Sequence, residues 1–233
     1  MRCFRLAGAL TLILYGVGAA GQAIDYSQYL GEHWYGLYIT GKKAGYSMSL
    51  VTADDAGVVT VVEDATFKLN MAGIKQDMRV YSKRRYGQDG ALLTIESAVD
   101  DIAGTNRFDA VIEGEGLILT STVGGEKSTR RFPKPAETLQ AMLKFTELLA
   151  GDPQPGDSAT FSMFEPMYQM EIEGEVIVLG KEERMFDGVN TEVYRVKSVL
   201  KTMGIESIGF VTAEGVTLED KIAGGIITMR LEP

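Results

Sequence analysis

The feature that most constrains the fold of this sequence is a two-residue alternation of apolar and polar side chains. In residues 59–69 the odd positions are mostly apolar, and polar residues lie between them, including Thr60, Asp64, Thr66 and Lys68. Because successive side chains of a strand lie on opposite faces of a sheet, this alternation predicts strands with one buried and one wet face. Similar runs recur with turn residues roughly every 8–12 positions, which is typical of an all-β sandwich or barrel.

One segment follows a helical period instead of the strand period. It begins with Pro135, which suits a first helical turn, and it ends before Gly151, which suits a C-terminal cap. The positions that recur at helical spacing between them are Leu139, Met142, Leu143, Thr146 and Leu149. We predict an amphipathic helix over residues 135–150. The predicted fold class is mainly β: an antiparallel curved sheet or half-barrel with this one amphipathic helix covering its concave face.

Residues 1–23 have the three parts of a secretory signal peptide. Arg2 and Arg5 precede a nearly continuous apolar run at residues 6–17. Small residues follow this run and favour cleavage after Ala23. The alternative is a transmembrane anchor, but about 12 apolar residues span only about 18 Å as a helix, short of a bilayer core of about 30 Å. The pattern therefore predicts a periplasmic or secreted bacterial protein with no stable membrane span after cleavage.

The mature chain, residues 24–233, is predicted to form a single β-rich domain. Its two possible sheet halves, 24–134 and 152–233, are joined by the helix at 135–150. No flexible, low-complexity linker divides them. A chain of this size with 45% apolar residues can build its own hydrophobic core.

Charge and residue types restrict the functions open to the mature chain. Removal of residues 1–23 leaves 21 basic and 32 acidic residues, a formal charge of −11 that predicts no nucleic-acid partner. The one cysteine, Cys3, lies in the signal peptide and before its apolar run, so both a mature thiol and a lipoprotein anchor are disfavoured. The one histidine, His33, offers no histidine cluster for a transition metal. We predict no metal site and no cofactor.

No catalytic constellation is recognisable, and we predict that the chain is not an enzyme. His33 adjoins Trp34 in the first strand and has no nucleophile-elbow motif nearby. Pairs of acids occur at turns or strand ends, where carboxylates are ordinarily solvated: Asp100/Asp101, Glu113/Glu115 and Glu182/Glu183. An acid-pair hydrolase remains the alternative. The basic residues Lys83, Arg84 and Arg85, with Arg130 and Arg131, are interpreted as solvated strand ends rather than a docking site for an acidic partner.

The apolar residues are more informative about binding. Methionines and aromatic residues are concentrated in residues 161–170, around Pro166. Methionine is flexible and polarizable, so this segment either fills the core or forms a wall that adapts to a ligand. The first two strands carry aromatic rings on both faces, which raises the same question. The predicted ligand-binding residues are Trp34, Tyr38, Tyr46, Met48, Phe67, Met142, Phe164 and Met167.

Residues 33–46, HWYGLYITGKKAGY, resemble the hairpin that opens β-rich exported bacterial domains found ahead of transglutaminase-like cores. The later stretch around Phe164, Gly180, Gly188 and residues 210–218 is similar to the second half of that module. No catalytic core follows here, and no cysteine of the mature chain could serve as its nucleophile. The resemblance therefore implies the non-catalytic module alone.

A more remote resemblance concerns the whole architecture. Many strands, one covering helix and an export signal look like the periplasmic lipoprotein-carrier half-barrels of the LolA/LolB type. That resemblance implies an apolar concavity that holds acyl chains. The sequence therefore favours an exported, non-enzymatic protein that binds an apolar or lipid-like ligand in a concave sheet. The alternative is an envelope scaffolding module that binds an envelope protein and holds no small-molecule ligand.

Overall fold

A computed structural model describes residues 30–71 and 74–232, with only the backbone described at 69–71, 74 and 75. The predicted signal peptide and its cleavage site lie outside the described residues. The first eight strands are β1 Gly31–Ile39, β2 Lys42–Ala53, β3 Val59–Met71, β4 Ile74–Tyr86, β5 Leu92–Asp101, β6 Gly104–Glu113, β7 Gly116–Val123 and β8 Glu126–Pro133. Helix α1, Leu139–Ala150, follows them. The remaining strands are β9 Ser158–Glu165, β10 Met170–Phe186, β11 Val189–Leu200, β12 Ile205–Val211, β13 Thr217–Ile222 and β14 Ile227–Glu232.

All these strands belong to one antiparallel sheet. Its 14 strands have the order β8-β7-β6-β5-β4-β3-β2-β1-β14-β13-β12-β11-β10-β9. Each strand therefore pairs with its neighbours in sequence, except that β8 does not pair with β9 and that β14 returns to pair with β1. The strands β8 and β9, which flank α1 in sequence, form the two ends of the sheet. The predicted mainly β class, with one curved antiparallel sheet and one helix, is confirmed.

The sheet curls so that its two end strands approach each other. The rings of Phe132 in β8 and Phe164 in β9 have centroids 5.2 Å apart. Nearby, the Nη1 atom of Arg130 donates a hydrogen bond to Oε1 of Gln169 at 2.9 Å. No backbone pairing joins β8 to β9 within the described sheet. Side chains therefore make the contacts between the two ends.

Helix α1 begins four residues later than predicted, at Leu139. Thr138 is its N-cap, with an extended backbone and a hydroxyl that accepts a hydrogen bond from the Ala141 amide at 3.1 Å. The preceding Glu137 turns into the interior, so the chain is still extended at the position where Pro135 suggested a helix. The predicted C-terminus is confirmed, because the Gly151 amide donates to the Leu148 carbonyl at 3.1 Å as the helix ends at Ala150.

Three apolar clusters fill the concave side of the sheet. The first cluster joins strands β3 to β7 to the start of α1 and to β9: Val59, Val61, Tyr86, Leu92, Ile95, Phe108, Ala110, Leu117, Leu119, Leu139, Leu143 and Phe164. The second cluster lies on β14, β1, β3, β4 and β5: Tyr35, Leu37, Ala65, Phe67, Met78, Val80, Val99 and Met229. The third cluster joins the end of α1 to β9, β10, β11 and β12: Phe145, Leu149, Phe161, Met163, Ile172, Val176, Val178, Tyr194, Val196, Leu200 and Val211.

The longest hairpin, β10 to β11, extends beyond the clusters. Its turn is Asp187-Gly188, and both residues have a positive φ, of 47° and 84°. This conformation suits a tight two-residue turn between antiparallel strands, for which Asp-Gly is a favoured sequence. No described helix is both long enough and apolar enough to cross a membrane.

Asp220 in β13 is a buried acid with an unusual environment. One of its carboxylate oxygens, Oδ1, has no hydrogen-bond partner among the described residues. Burial is the main cause that raises its pKa from 3.8 to about 6, and the hydrogen bond from Ser207 opposes the rise. Because the folded state holds the proton more tightly than the unfolded state, the free energy of unfolding falls as the pH rises from about 4 through 6.

We expect Asp220→Asn to be more stable than the wild type at pH 7.5, by on the order of 2–3 kcal/mol, because the amide needs no ionisation. Near pH 4 the difference should shrink to less than about 1 kcal/mol, since Asp220 is protonated in the folded state there and only about half ionised in the unfolded state. Urea unfolding followed by circular dichroism at both pH values measures the difference. The matched control, Asp109→Asn, replaces an exposed acid of β6. An equal gain at both pH values would contradict the proposed titration.

Candidate ligand-binding site

A row of polar side chains crosses the concave face of the sheet. Direct cross-strand pairing connects His33 with Ser49, Ser49 with Glu63, Glu63 with Ser82, and Ser82 with Ser97. Residues directly opposite one another in adjacent strands project from the same face. Along each strand, these residues alternate with residues of the outer face. They share the inner face with buried neighbours such as Val61 and Ala65. We call these five residues, with Arg84, the polar belt.

The polar belt separates the first cluster from the second. In β3, Glu63 has Val61 of the first cluster on one side and Ala65 of the second cluster on the other. The order repeats in β4, where Ser82 and Arg84 lie between Val80 and Tyr86, and in β5, where Ser97 lies between Ile95 and Val99. The interior is therefore apolar at two levels and polar between them.

Arg84 is held by groups from the segment before α1 and from the end strand β9. Its guanidinium, in a residue only 3% exposed, donates from Nη1 to both carboxylate oxygens of Glu137 at 3.1 Å and to the Phe164 carbonyl at 3.2 Å. Glu137 also accepts from the Tyr86 hydroxyl at 2.6 Å and from the Phe164 amide at 2.8 Å. The residue that precedes α1 thus joins β4 to the end strand β9.

The protonation states in this cluster follow from burial and charge. Burial by itself lowers the pKa of Arg84, but the nearby charge of Glu137 reverses this, so the pKa lies above its ordinary value. Burial raises the pKa of Tyr86 well above its usual range, which keeps its hydroxyl a donor. Burial also raises the pKa of Glu165, and the charge of Arg84 opposes this rise. Arg84 and Glu137 therefore form a buried ion pair, with Glu165 Oε2 at 3.9 Å from Arg84 Nη2.

Some polar atoms of the belt lack partners. In the described part of the chain, the hydroxyl oxygens of Ser49 and Ser82 and Nη2 of Arg84 are buried without a hydrogen bond. Leaving a buried donor or acceptor unpaired costs about 1–3 kcal/mol, so such groups are rare in folded proteins. Glu63 lies between the two serines and is only half-buried, which means that solvent reaches its surface. The belt therefore combines buried polar atoms that lack hydrogen bonds with an acid that is partly exposed to solvent.

The structure divides the predicted ligand-binding residues between the two faces of the sheet. Four project into the interior: Phe67 belongs to the second cluster, Phe164 to the first, and Met142 packs against the third. Met167, in the loop after β9, packs against both the first and the second clusters. Trp34, Tyr38, Tyr46 and Met48 lie on the outer face of β1 and β2, and we call them the outer aromatic patch. The eight residues therefore do not form one wall.

The outer aromatic patch is partly open to solvent. Trp34 and Tyr46 are 42% and 43% exposed, and their rings pack at a tilt with centroids 5.4 Å apart. Trp34 is paired with Met48 across the strands, and the ring of Tyr38 lies over Gly36. Lys43, at the beginning of β2, forms an ion pair with Glu232 beside the patch.

Sequence reasoning missed the principal residues of the interior site. Arg84 was interpreted as part of a solvated basic strand end, but it is buried and ion-paired. Glu137 falls within the predicted helix range of residues 135–150, but it precedes the helix and is buried. The missed signal was a polar residue at an inward position: Glu63 interrupts the apolar positions Val61 and Ala65, and in β4 Ser82 lies opposite Glu63 while Arg84 lies opposite Val61.

A surface cleft of about 340 Å³ lies near the start of α1, and Ala136, Thr160, Ser162, Glu173 and Lys201 contribute to its lining. It contains none of the predicted ligand-binding residues. Lys201 at its rim is engaged by Glu175 at 2.9 Å, and Ser162 donates to Glu171 at 2.7 Å. Among the residues that the structure describes, no group of three or more His, Cys, Asp or Glu is arranged to hold a metal ion.

Comparison with solved structures places this fold among known ones. The chain resembles a beta-barrel-like protein of the domain of unknown function DUF1849 from Brucella abortus. The TM-score is 0.62 at 12% sequence identity, with 86% of this chain and 94% of that chain covered. A DUF1089 family protein from Pseudomonas aeruginosa aligns over 88% of this chain and 94% of its own at 11% identity, with a TM-score of only 0.36. No protein-family model and no curated protein matches the sequence. The likeness establishes a beta-barrel-like fold; the resemblances to the transglutaminase-associated module and to the lipoprotein carriers stay predictions.

Proposed function

We propose that this protein is exported, has no enzymatic activity, and holds a lipid-like ligand inside its curled sheet. The observation that supports this function is the uneven filling of the interior by the helix. Residues of α1 belong to the first and third clusters, whereas none belongs to the second cluster as described. We propose that the second cluster is the apolar lining of the ligand site, because no described residue of α1 belongs to it.

Met167, in the loop after β9, lies at the boundary between this lining and the first cluster. Met167 contacts both the first and the second clusters and is only half-buried. Methionine adapts to neighbours of different shape, so it can repack around an inserted hydrocarbon. Each buried methylene of an acyl chain contributes about 0.8 kcal/mol, which is enough for binding without a catalytic or charged group.

The buried acids support a binding role over an enzymatic one. Glu137 accepts hydrogen bonds from Arg84, Tyr86 and the Phe164 amide. Glu165 accepts one from the Met167 amide at 3.2 Å and is as buried as Glu137. Carboxylates held in this way stabilise the packing of β9, and they leave little freedom for acid-base exchange with a substrate.

Native mass spectrometry of the protein purified from a bacterial extract without detergent tests this proposal. We expect a complex that carries an additional mass in the range of a single lipid, released when the protein is denatured. We also expect the denatured chain to have the mass of residues 24–233, because export should be accompanied by cleavage after Ala23. Only ligand-free protein in a preparation free of detergent would contradict ligand binding, and an uncleaved chain would contradict export.

Two matched methionine variants localise the ligand. Met167→Gln introduces a polar amide of similar size at the boundary of the second cluster, and it should reduce the ligand-bound fraction at least severalfold. Met185→Gln makes the same change at the tip of the β10–β11 hairpin, where Met185 is 71% exposed, and it should leave the bound fraction unchanged. Equal ligand occupancy in both variants would show that the lining is not the binding site.

The outer aromatic patch favours a second candidate function, a scaffolding module that binds an envelope protein. Trp34 and Tyr46 offer large exposed rings, which are enriched in protein interfaces. The same native spectra separate the candidates, because a scaffold would carry a protein-sized mass and no lipid-sized one. Replacing Trp34 and Tyr46 by Ala should then remove the protein mass, whereas it should not change lipid occupancy.

A further inference from the structure

The polar belt has a feature that a purely apolar site would not need. Ser82 is 2% exposed and Ser49 is 8% exposed, yet neither hydroxyl has a hydrogen-bond partner in the described structure. Nη2 of Arg84 also makes no hydrogen bond, and its ionic contact with Glu165 is long at 3.9 Å, although Nη1 of the same guanidinium makes three hydrogen bonds. These three groups lie on neighbouring parts of the inner face, because only Lys83 separates Ser82 from Arg84 in β4, and Glu63 alone lies between the two serines across the strands.

We infer that these groups bind the polar portion of an amphiphilic ligand, and that this portion is neutral and bears oxygen, as a hydroxyl or an ester carbonyl does. The inference rests on the proposed function, in which the hydrocarbon of the same ligand lies against the second cluster. Arg84 Nη2 donates to the ligand oxygen. The hydroxyls of Ser49 and Ser82 donate or accept as the ligand requires.

The charges around the belt exclude an ionised head group. Glu137 already neutralises Arg84 through two contacts of 3.1 Å. Glu63 lies within the belt itself, and Glu165 approaches the free side of the guanidinium at 3.9 Å. A carboxylate or phosphate ligand would place a further negative charge beside these acids in a poorly solvated interior, where like charges repel strongly. A neutral group makes the same hydrogen bonds without this repulsion.

Fluorescence titration of the delipidated mature protein with N-phenylnaphthylamine, an uncharged apolar probe, tests the inference. Displacement by 1-monolauroylglycerol is compared with displacement by laurate at pH 8, since the two share an acyl chain and differ in the head group. We expect monolauroylglycerol to bind at least about tenfold more tightly than laurate. The double variant Ser49→Ala/Ser82→Ala should weaken monolauroylglycerol binding about tenfold, while the affinity for the apolar probe stays the same.

The control is Thr146→Val, which removes another buried, unpaired hydroxyl, on α1 and outside the belt. It should not change the affinity for either ligand. The ligand-free double serine variant should unfold at an equal or higher temperature than the wild type, because it loses groups that were unsatisfied. A marked loss of thermal stability would instead mean that the hydroxyls are structural, and it would overturn the inference.

The remaining outcomes separate the two proposals. If neither the probe nor monolauroylglycerol binds the wild type, the proposed carrier function is wrong and the head-group site is wrong with it. If both bind but the double serine variant does not weaken monolauroylglycerol binding, the carrier function stands and the belt does not recognise the head group. Tighter binding of laurate than of monolauroylglycerol would contradict the neutral specificity.

Discussion

Replacing Glu137 by Gln is expected to reduce the free energy of unfolding by about 3–5 kcal/mol, although the side chain barely changes in size. The substitution removes the charge that compensates Arg84 in a buried setting. Both carboxylate oxygens now accept hydrogen bonds, which come from Arg84, Tyr86 and the Phe164 amide. The substitution also replaces one of these two acceptors by an NH2 group, which can only donate. Urea unfolding followed by circular dichroism at pH 7 measures the loss.

An exposed ion pair provides the matched control. Lys197 and Glu206 are 2.8 Å apart on neighbouring strands, and their side chains are substantially solvated. Glu206→Gln should therefore reduce stability by less than about 1 kcal/mol. If Glu137→Gln were no more destabilising than Glu206→Gln, the buried cluster would contribute nothing particular to the fold.

A double variant tests whether the uncompensated charge of Arg84 causes the loss of stability in Glu137→Gln. Because the main penalty of Glu137→Gln is an uncompensated buried guanidinium, removing Arg84 as well should recover part of the stability. The double variant Arg84→Met/Glu137→Leu is therefore expected to be more stable than Glu137→Gln alone. A double variant that is the less stable of the two would show that packing around residue 137, and not the unpaired charge, determines the effect.

The parts of the fold that were predictable depend on local patterns. The alternation in residues 59–69 identified β3, because burial on one face of a sheet imposes a two-residue period. The period at Leu139, Leu143 and Thr146 identified α1 in the same way. The pairing of β14 with β1 was not predictable, since it joins segments far apart in the sequence and no local pattern specifies it.

The candidate site was harder to predict because its residues break the patterns. Glu63 and Arg84 occupy inward positions of their strands. A charged residue at such a position usually suggests that the inner and outer faces of the strand have been assigned the wrong way round. Arg84 becomes acceptable in the interior only because Glu137 approaches it from a segment 53 residues later in the sequence. Trp34 and Tyr46 show the reverse problem, because large aromatic residues were expected to line an interior and they lie on the outer face.

Replacing Phe164 by Ala is expected to reduce the free energy of unfolding by about 3–5 kcal/mol. The ring is buried in the first cluster, and it is the residue of β9 that contacts Phe132 of β8. Its removal leaves a cavity at the point where the two ends of the sheet meet. Since no backbone ladder joins β8 to β9 in the described sheet, no backbone hydrogen bonds remain to hold these two strands together. Urea unfolding gives the size of the loss.

Hydrogen exchange measured by mass spectrometry distinguishes this role from ordinary core packing. Phe145→Ala is the matched control, because Phe145 is equally buried but belongs to the third cluster, on α1. Both variants should lose stability to a similar degree, but only Phe164→Ala should accelerate exchange in β8, because β8 is otherwise held on one side, by β7. Equal protection of β8 in the two variants would mean that Phe164 does not hold the ends of the sheet together. Accelerated exchange confined to β8 and β9 would identify their side-chain contacts as the place where the curled sheet opens.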